Sequence, residues 1–253
     1  MKRLMLLFLF ILAVSAQPAL AVSFFDDFEG GVSGSVWTKW TGGSQELLQT
    51  SNSHNFTPAG SQSALAVQAD PTAFNAYADF GSTAGFVRAQ VYVFEDFSND
   101  GTNGSQPITN MLALVGDTGT STPGFSTDYL QLGVVNFLPG GNTGYSTRSR
   151  ANGADVSADT GVDRSAGWIK LAIEADALAD GGQVRYFIDD VQVGASVRSN
   201  TNLRWIRLGN NSKSYENFWY DDVSVVPEPS SMLTLGVGSL ALLFFRRRRG
   251  AQQ

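Results

Sequence analysis

The chain has 253 residues, 17 Lys and Arg against 23 Asp and Glu, no cysteine and one histidine. Without cysteine there is no disulfide framework and no thiolate metal or redox site. With His54 alone there is no multi-histidine metal cage, and no Ser-His-Asp triad elsewhere in the chain. A charged fraction of 16% beside 43% hydrophobic residues describes a packed core rather than a disordered chain. The cations gather at the ends: without Lys2, Arg3 and Arg246–Arg249, 11 remain, and without Glu228, 22 anions remain. Residues 22–226 therefore carry a formal −11, which excludes nucleic acid as a partner, because phosphates need Lys and Arg.

Residues 1–21 read as a secretory signal peptide. Lys2 and Arg3 form the basic start, Leu4–Val14 the apolar stretch, and Ala19-Leu20-Ala21 the small–x–small cleavage site. The remaining body, residues 22–226, is the size of one all-β sandwich. Alternating apolar, β-branched and aromatic residues predict strands over Leu65–Ala69, Phe86–Phe94, Met111–Val115, Tyr129–Phe137, Trp168–Ala175, Val184–Val193, Trp205–Leu208 and Phe218–Val225. Turn clusters separate them, among them Asn99-Asp100-Gly101, Pro139-Gly140-Gly141-Asn142, Asn152-Gly153 and Asp180-Gly181-Gly182. The only helix-like stretch, Ala175–Asp180, fits a hairpin better because Gly181-Gly182 follows it. In the Trp168 strand, Trp168, Leu171 and Ile173 are expected near the core, with a slip in the alternation at Ile169-Lys170.

The C-terminal end, residues 227–253, is separate. Ser231–Phe245 is apolar or small throughout and is followed at once by Arg246, Arg247, Arg248 and Arg249. Fifteen helical residues reach about 22 Å, short of the ~30 Å hydrocarbon layer, but arginine stems extend the reach by snorkelling. This predicts a single transmembrane helix, at about residues 231–245, with its basic end in the cytoplasm and the domain outside. Pro227-Glu228-Pro229, then the apolar segment, then the arginines, resembles the PEP-CTERM sorting signal of exopolysaccharide-producing Gram-negative bacteria. The resemblance implies exosortase as a partner, a temporary inner-membrane tether, and delivery to the envelope or extracellular matrix.

The body carries a second resemblance. The succession Trp168-x-Lys170-Leu171, Tyr186-x-Ile188-Asp189-Asp190 and Phe218-x-Tyr220-Asp221-Asp222-Val223 is similar to the C-terminal half of concanavalin A-like (laminin G-like) sandwiches. The bracket from Phe28-Glu29-Gly30 and Trp37 to the last strand is also similar to galactose-binding-like modules. Both imply a two-sheet jelly roll whose first and last strands lie side by side.

Several constellations could carry function. Paired carboxylates for glycoside hydrolysis need a separation of about 5–9.5 Å. The nearest approach to a catalytic-strand pattern, Glu174-x-Asp176, lacks its third acid because Ala179 stands there, so no catalytic residue is assigned. Acid doublets suit a hard cation that wants several oxygens. Asp221 and Asp222, with Asp26 and Asp27 if the chain ends pair, are candidate calcium ligands, and no other cofactor is expected. Sugar binding needs exposed aromatic rings beside polar groups. Trp40, Tyr129 and Tyr145 are the leading candidates, with Phe125 and Tyr215 behind them; Trp37, Trp168, Trp205 and Trp219 fall in strand patterns and are assigned to the core. His54 is expected to be a solvated loop residue. The expectation is an exported, non-enzymatic protein that binds extracellular polysaccharide or mediates adhesion. A polysaccharide-active enzyme and a purely structural biofilm component are the alternatives.

Overall fold

A computed structural model of the chain describes residues 24–39, 45–57, 60, 62–66, 73–96, 109–123, 128–134, 144–151, 154–209 and 217–227. Residues 22–227 form one compact unit, and residues 1–21 and 228–253 lie outside the described residues. The described strands are β1 (Phe24–Asp26), β2 (Thr38–Lys39), β3 (Gln45–Glu46), β4 (Gln49–Ser51), β5 (Ser63–Ala66), β6 (Ala73–Thr83), β7 (Val87–Glu95) and β8 (Thr109–Gly116). They continue with β9 (Tyr129–Val134), β10 (Gly144–Ala151), β11 (Ala154–Asp163), β12 (Gly167–Ala175), β13 (Gln183–Ile188), β14 (Val191–Val197), β15 (Leu203–Gly209) and β16 (Phe218–Pro227).

These strands make two sheets, as expected of an all-β jelly-roll-like sandwich. Sheet I runs β14-β13-β12-β7-β16-β5-β4 with β1 also on β16; sheet II runs β11-β10-β9-β8-β15-β6-β2, with β3 on β6. The chain ends pair as expected, Phe24 opposite Val225 and Asp26 opposite Val223.

Period-two patterning decides which side chains enter the core. In β7, Val87, Ala89, Val91 and Val93 point inward, and Arg88, Gln90, Tyr92 and Phe94 point outward. β12 alternates without a slip: Ile169, Leu171, Ile173 and Ala175 face the core, which puts Trp168 on the outer side. Bulges change the phase of several described strands, β15 and β16 among them. Leu203 and Ile206 both lie in the core although three residues apart, and the β15 register shifts between Leu203 and Trp205 to allow it. Tyr220 and Val223 in β16 need the same device, and the shift falls at Asp221-Asp222, with Asp222 at φ 47°.

The expected Val184–Val193 strand is instead two strands. Asp189 and Asp190 both take positive φ (48° and 63°), the conformation of a tight two-residue hairpin turn. The stretch after Ala175 is a short 3₁₀ turn, Leu178–Asp180, closed by Gly181 at φ 90°, inside the β12–β13 connection.

A buried ion pair interrupts the apolar core at the end of β7. Glu95 ends β7 on an inward position and is fully buried; Arg164 Nε donates to its Oε2 at 2.7 Å and the Tyr145 hydroxyl donates to its Oε1. The pair and the phenol satisfy one another, which a buried carboxylate requires. Tyr145 is therefore not an exposed sugar platform. Its Gly/Ser-rich setting suggested a loop, but β10 starts at Gly144 and the ring falls on an inner position. Burial, then the Glu95 charge, raises its ionisation well above the ordinary tyrosine range.

Candidate functional site

The outer face of sheet II is built by alternation against the core. On β9, Leu130, Leu132 and Val134 face inward, leaving Tyr129 and Gln131 outward; on β15, Ile206 and Leu208 face inward, leaving Trp205 and Arg207 outward. Register then aligns two rows across the sheet. One reads Asp79, Trp205, Val115, Tyr129, Arg150, Asp155, and the other Tyr77, Arg207, Ala113, Gln131, Arg148, Ser157. Ala113 places the smallest side chain between Arg207 and Gln131.

The floor of this face is closed and polar. Tyr77, Val115 and Trp205 form their own apolar cluster, separate from the main core, with Tyr129 packed against it. Arg207 is buried, and the loss of water pushes its guanidinium down to about 9. Gln131 and Trp205 are at least nine-tenths buried, yet Gln131 Nε2 and Trp205 Nε1 have no hydrogen-bond partner. Each unpaired donor costs on the order of 1–3 kcal/mol, so the arrangement is unfavourable unless something accepts from them.

The rim is half-exposed and organised around Tyr129. Its hydroxyl donates to Asp155 Oδ1 at 2.9 Å, and the Arg148 and Arg150 guanidinium groups lie 5.2 and 6.0 Å from its ring centre. Both arginines also reach Asp155 Oδ2, at 3.2 and 3.3 Å. Burial raises Tyr129 to about 12, against the opposing pull of Arg148. Burial also pushes Asp155 up, but the Tyr129 hydrogen bond and the two arginines outweigh it and hold this carboxyl below its usual range. At the other end, Arg204 is held by Asp79 at 2.8 Å and lies 5.0 Å from the Trp205 ring.

The outer face of sheet I is aromatic instead. Trp168, Phe94 and Trp219 lie opposite one another on β12, β7 and β16. The segment after β4 lays His54 on Phe94 (ring centres 4.0 Å apart) and Phe56 on Tyr92 (3.6 Å). Asp221 clasps this segment by accepting the Phe56 backbone N–H at 2.9 Å. His54 is exposed as expected, but its ring is packed rather than merely solvated. Of the four tryptophans assigned to the core, Trp37, Trp205 and Trp219 are buried as expected, Trp37 in the main cluster and Trp205 in the smaller one, whereas Trp168 stays half-exposed on the outer face of sheet I.

The acid doublets come to one end of sheet I, where each carboxylate accepts at least one hydrogen bond. Asp26 accepts from Phe28 N and from Trp37 Nε1, Asp27 from Glu29 N, Asp221 from Phe56 N and Asp222 N, and Asp222 from Thr57 Oγ1. Among the described residues no group of three or more His, Asp or Glu is placed to hold a metal ion. The four carboxylates organise turns at this end of the sheet. Glu174 and Asp176 are likewise engaged: Arg88 and Arg185 hold Glu174, and Arg185 also holds Asp176. On sheet II, Asp79 and Asp155 end one row five strands apart, about 24 Å, far beyond the spacing of a hydrolytic pair.

Trp40, Phe125 and Tyr215, the cleavage-site residues Ala19 and Ala21, Glu228, Pro229, the 231–245 segment and Arg246–Arg249 lie outside the described residues. No described helix is long and apolar enough to cross a membrane. Pro227 ends β16, paired with Val87, so the folded body runs directly into the tail.

That junction is where one comparison decides the matter, because residues 225–249 match the PEP-CTERM protein-sorting motif. The chain carries a PEP-CTERM sorting signal. The motif implies export and envelope-associated sorting. No curated protein sequence matches the chain. Solved structures share its fold at low identity. The globular domain of T. cruzi calreticulin is 10% identical with TM-score 0.57, over 84% of this chain and 90% of that one. The endo-1,3-beta-glucanase from Streptomyces sioyaensis is 12% identical with TM-score 0.51, over 84% of this chain and 100% of that one. Domain 4 of AbnA, an extracellular arabinanase from Geobacillus stearothermophilus solved with arabinotriose, is 14% identical with TM-score 0.50, over 81% and 91%. At these identities the likeness concerns the jelly-roll-like sandwich alone.

Proposed function

We propose that this is an exported polysaccharide-binding protein of the cell envelope or matrix, which works by adhesion and without catalysis. The 231–245 segment would tether it to the inner membrane until exosortase acts on the tail. The observation that carries the binding reading is the pair of buried, unpartnered donors, Gln131 Nε2 and Trp205 Nε1, beside the Tyr129 rim. A polar floor with an aromatic wall is how a protein orients a sugar ring. Sugar-processing and sugar-binding proteins among the similar folds agree with that reading. The separation of Asp79 from Asp155 and the arginine clamps on Glu174 and Asp176 favour binding over hydrolysis.

A glycan array probed with the purified protein tests the binding. We expect retention on at least one extracellular polysaccharide, lost in Trp205→Ala; no retention on any glycan would leave a structural matrix component. A reducing-sugar assay on the retained polysaccharide tests the absence of catalysis, and steady release of reducing ends would establish the enzyme alternative.

A further inference from the structure

The glycan-binding reading leaves open what kind of polysaccharide the sheet II face takes, and its hydrogen-bonding character narrows the choice. The Gln131 amide nitrogen and the Trp205 indole nitrogen, buried there without a partner among the described residues, are both donors. The long charged side chains around them on the two rows are Arg148, Arg150 and Arg207, and a guanidinium only donates. Arg148 and Arg150 project from alternate positions of one strand and already converge on a carboxylate, that of Asp155, at 3.2 and 3.3 Å. The same face therefore displays how it receives a carboxylate: two guanidinium groups from one side and the Tyr129 hydroxyl from another. A neutral sugar hydroxyl both donates and accepts, and half of that capacity finds no match on a donor-rich floor. A ring carboxylate is acceptor-only and fits it, with guanidinium forks giving the strongest geometry for that group.

The body as a whole bears a formal −11, so long-range repulsion opposes any polyanion. Selection of one must be local, at a site where arginines are concentrated. Of the 11 cations in residues 22–226, four (Arg148, Arg150, Arg204 and Arg207) stand on this one face. They share that face with Asp155, which Arg148 and Arg150 both reach, and with Asp79 and Asp117, which Arg204 reaches, so the face keeps fewer carboxylates than guanidinium groups.

We propose that the outer face of sheet II binds an acidic polysaccharide through its ring carboxylates, with Arg148 and Arg150 receiving the carboxylate and Gln131 and Trp205 donating to the same sugar or its neighbour. This rests on the glycan-binding function proposed above and adds the charge class of the ligand.

The test uses the full-length protein in detergent with two probes, polygalacturonate and the same polymer after chemical reduction of its carboxyl groups. The account expects polygalacturonate to bind about tenfold or more tightly than the reduced polymer, and its binding to weaken as salt rises. Arg148→Gln with Arg150→Gln should erase the preference. Gln131→Glu should weaken polygalacturonate and leave the reduced polymer unaffected, a selective effect that misfolding does not produce. Trp168→Ala, on the other face, should change neither. Equal or tighter binding of the reduced polymer overturns the acidic-ligand inference while the glycan-binding function stands. No binding of either polymer overturns the inference, and if the glycan array is also blank the function falls with it.

Discussion

The two outer faces of this sandwich carry similar residue types and use them differently. On sheet I the rings of Trp168, Phe94 and Trp219 are overlaid by the chain's own His54 and Phe56, and Trp219 Nε1 donates to Ser51 Oγ at 3.1 Å. On sheet II, Trp205 is fully buried with its indole nitrogen unpaired, beside a glutamine in the same condition. The indole of Trp219 is satisfied by the chain itself, and that of Trp205 is not. On the proposed reading the ligand face is therefore the one that leaves an indole and an amide donor unpaired, rather than the one that stacks more rings.

The largest effect expected from this contrast is on stability. Trp205→Ala removes a fully buried ring and should cost about 3–5 kcal/mol, whereas Trp168→Ala, from a half-buried edge contact, should cost about 1 kcal/mol. Urea unfolding of both variants checks it, and equal losses would erase the distinction. Next in size is the Asp221 clasp. Asp221→Ala leaves the Phe56 and Asp222 backbone N–H groups without their acceptor, for about 1–3 kcal/mol, and should free the segment that carries His54 and Phe56. Faster amide exchange in residues 52–57, with β9 and β15 unchanged, is the expected result.

The regions should also respond oppositely to pH. Asp155 is held below the usual carboxylate range, so its contribution to stability is present above the ordinary value and is lost as pH falls through its folded one. Asp221 and Asp222 are raised, chiefly by burial, with Asp27 and Glu29 adding to the rise at Asp222. Their contribution is present below the ordinary value and is lost as pH rises through the folded ones. Carbon-detected titration of these side chains should therefore find Asp155 protonating last on acidification and Asp221 among the first. The reverse order would contradict the assigned environments. The smallest effect concerns calcium: because Asp26, Asp27, Asp221 and Asp222 each already accept a hydrogen bond from a turn, we expect little or no rise in melting temperature on calcium addition. A clear rise would mean that the turns rearrange around an ion.

Much of the architecture was legible because burial on one side imposes alternation. β7, β8, β12 and β16 read directly from their Val, Leu and Ile spacing, and the pairing of the chain ends followed from the bracketing aromatics. β6, β10 and β11 did not read, because Ala, Asn, Ser, Thr and Asp occupy the positions where branched residues would signal a strand. The β13–β14 turn was hidden because Asp189-Asp190 takes positive φ without glycine. Bulges explain why Trp205 and Trp219, though buried as expected, lie outside the main cluster: a phase change inside β15 or beside Trp219 in β16 moves a ring across the sheet without altering its neighbours in sequence. The site itself was half legible. Tyr129 was found by composition, and Gln131 alternates with Leu130 and Leu132, which marks it as outward. That it shares a face with Trp205 and Arg207 depends on β15 and β9 flanking β8, a long-range order that no local pattern encodes.

The most direct measurement is an indole N–H spectrum of the labelled protein titrated with an acidic polysaccharide. Trp205 Nε1 lacks a partner, while Trp37 and Trp219 donate to Asp26 and Ser51. The resonance of Trp205 should move on titration, together with the Gln131 side-chain amide, while those of Trp37 and Trp219 hold still. Movement at Trp219 with Trp205 unaffected would place the ligand on the aromatic face and contradict the assignment.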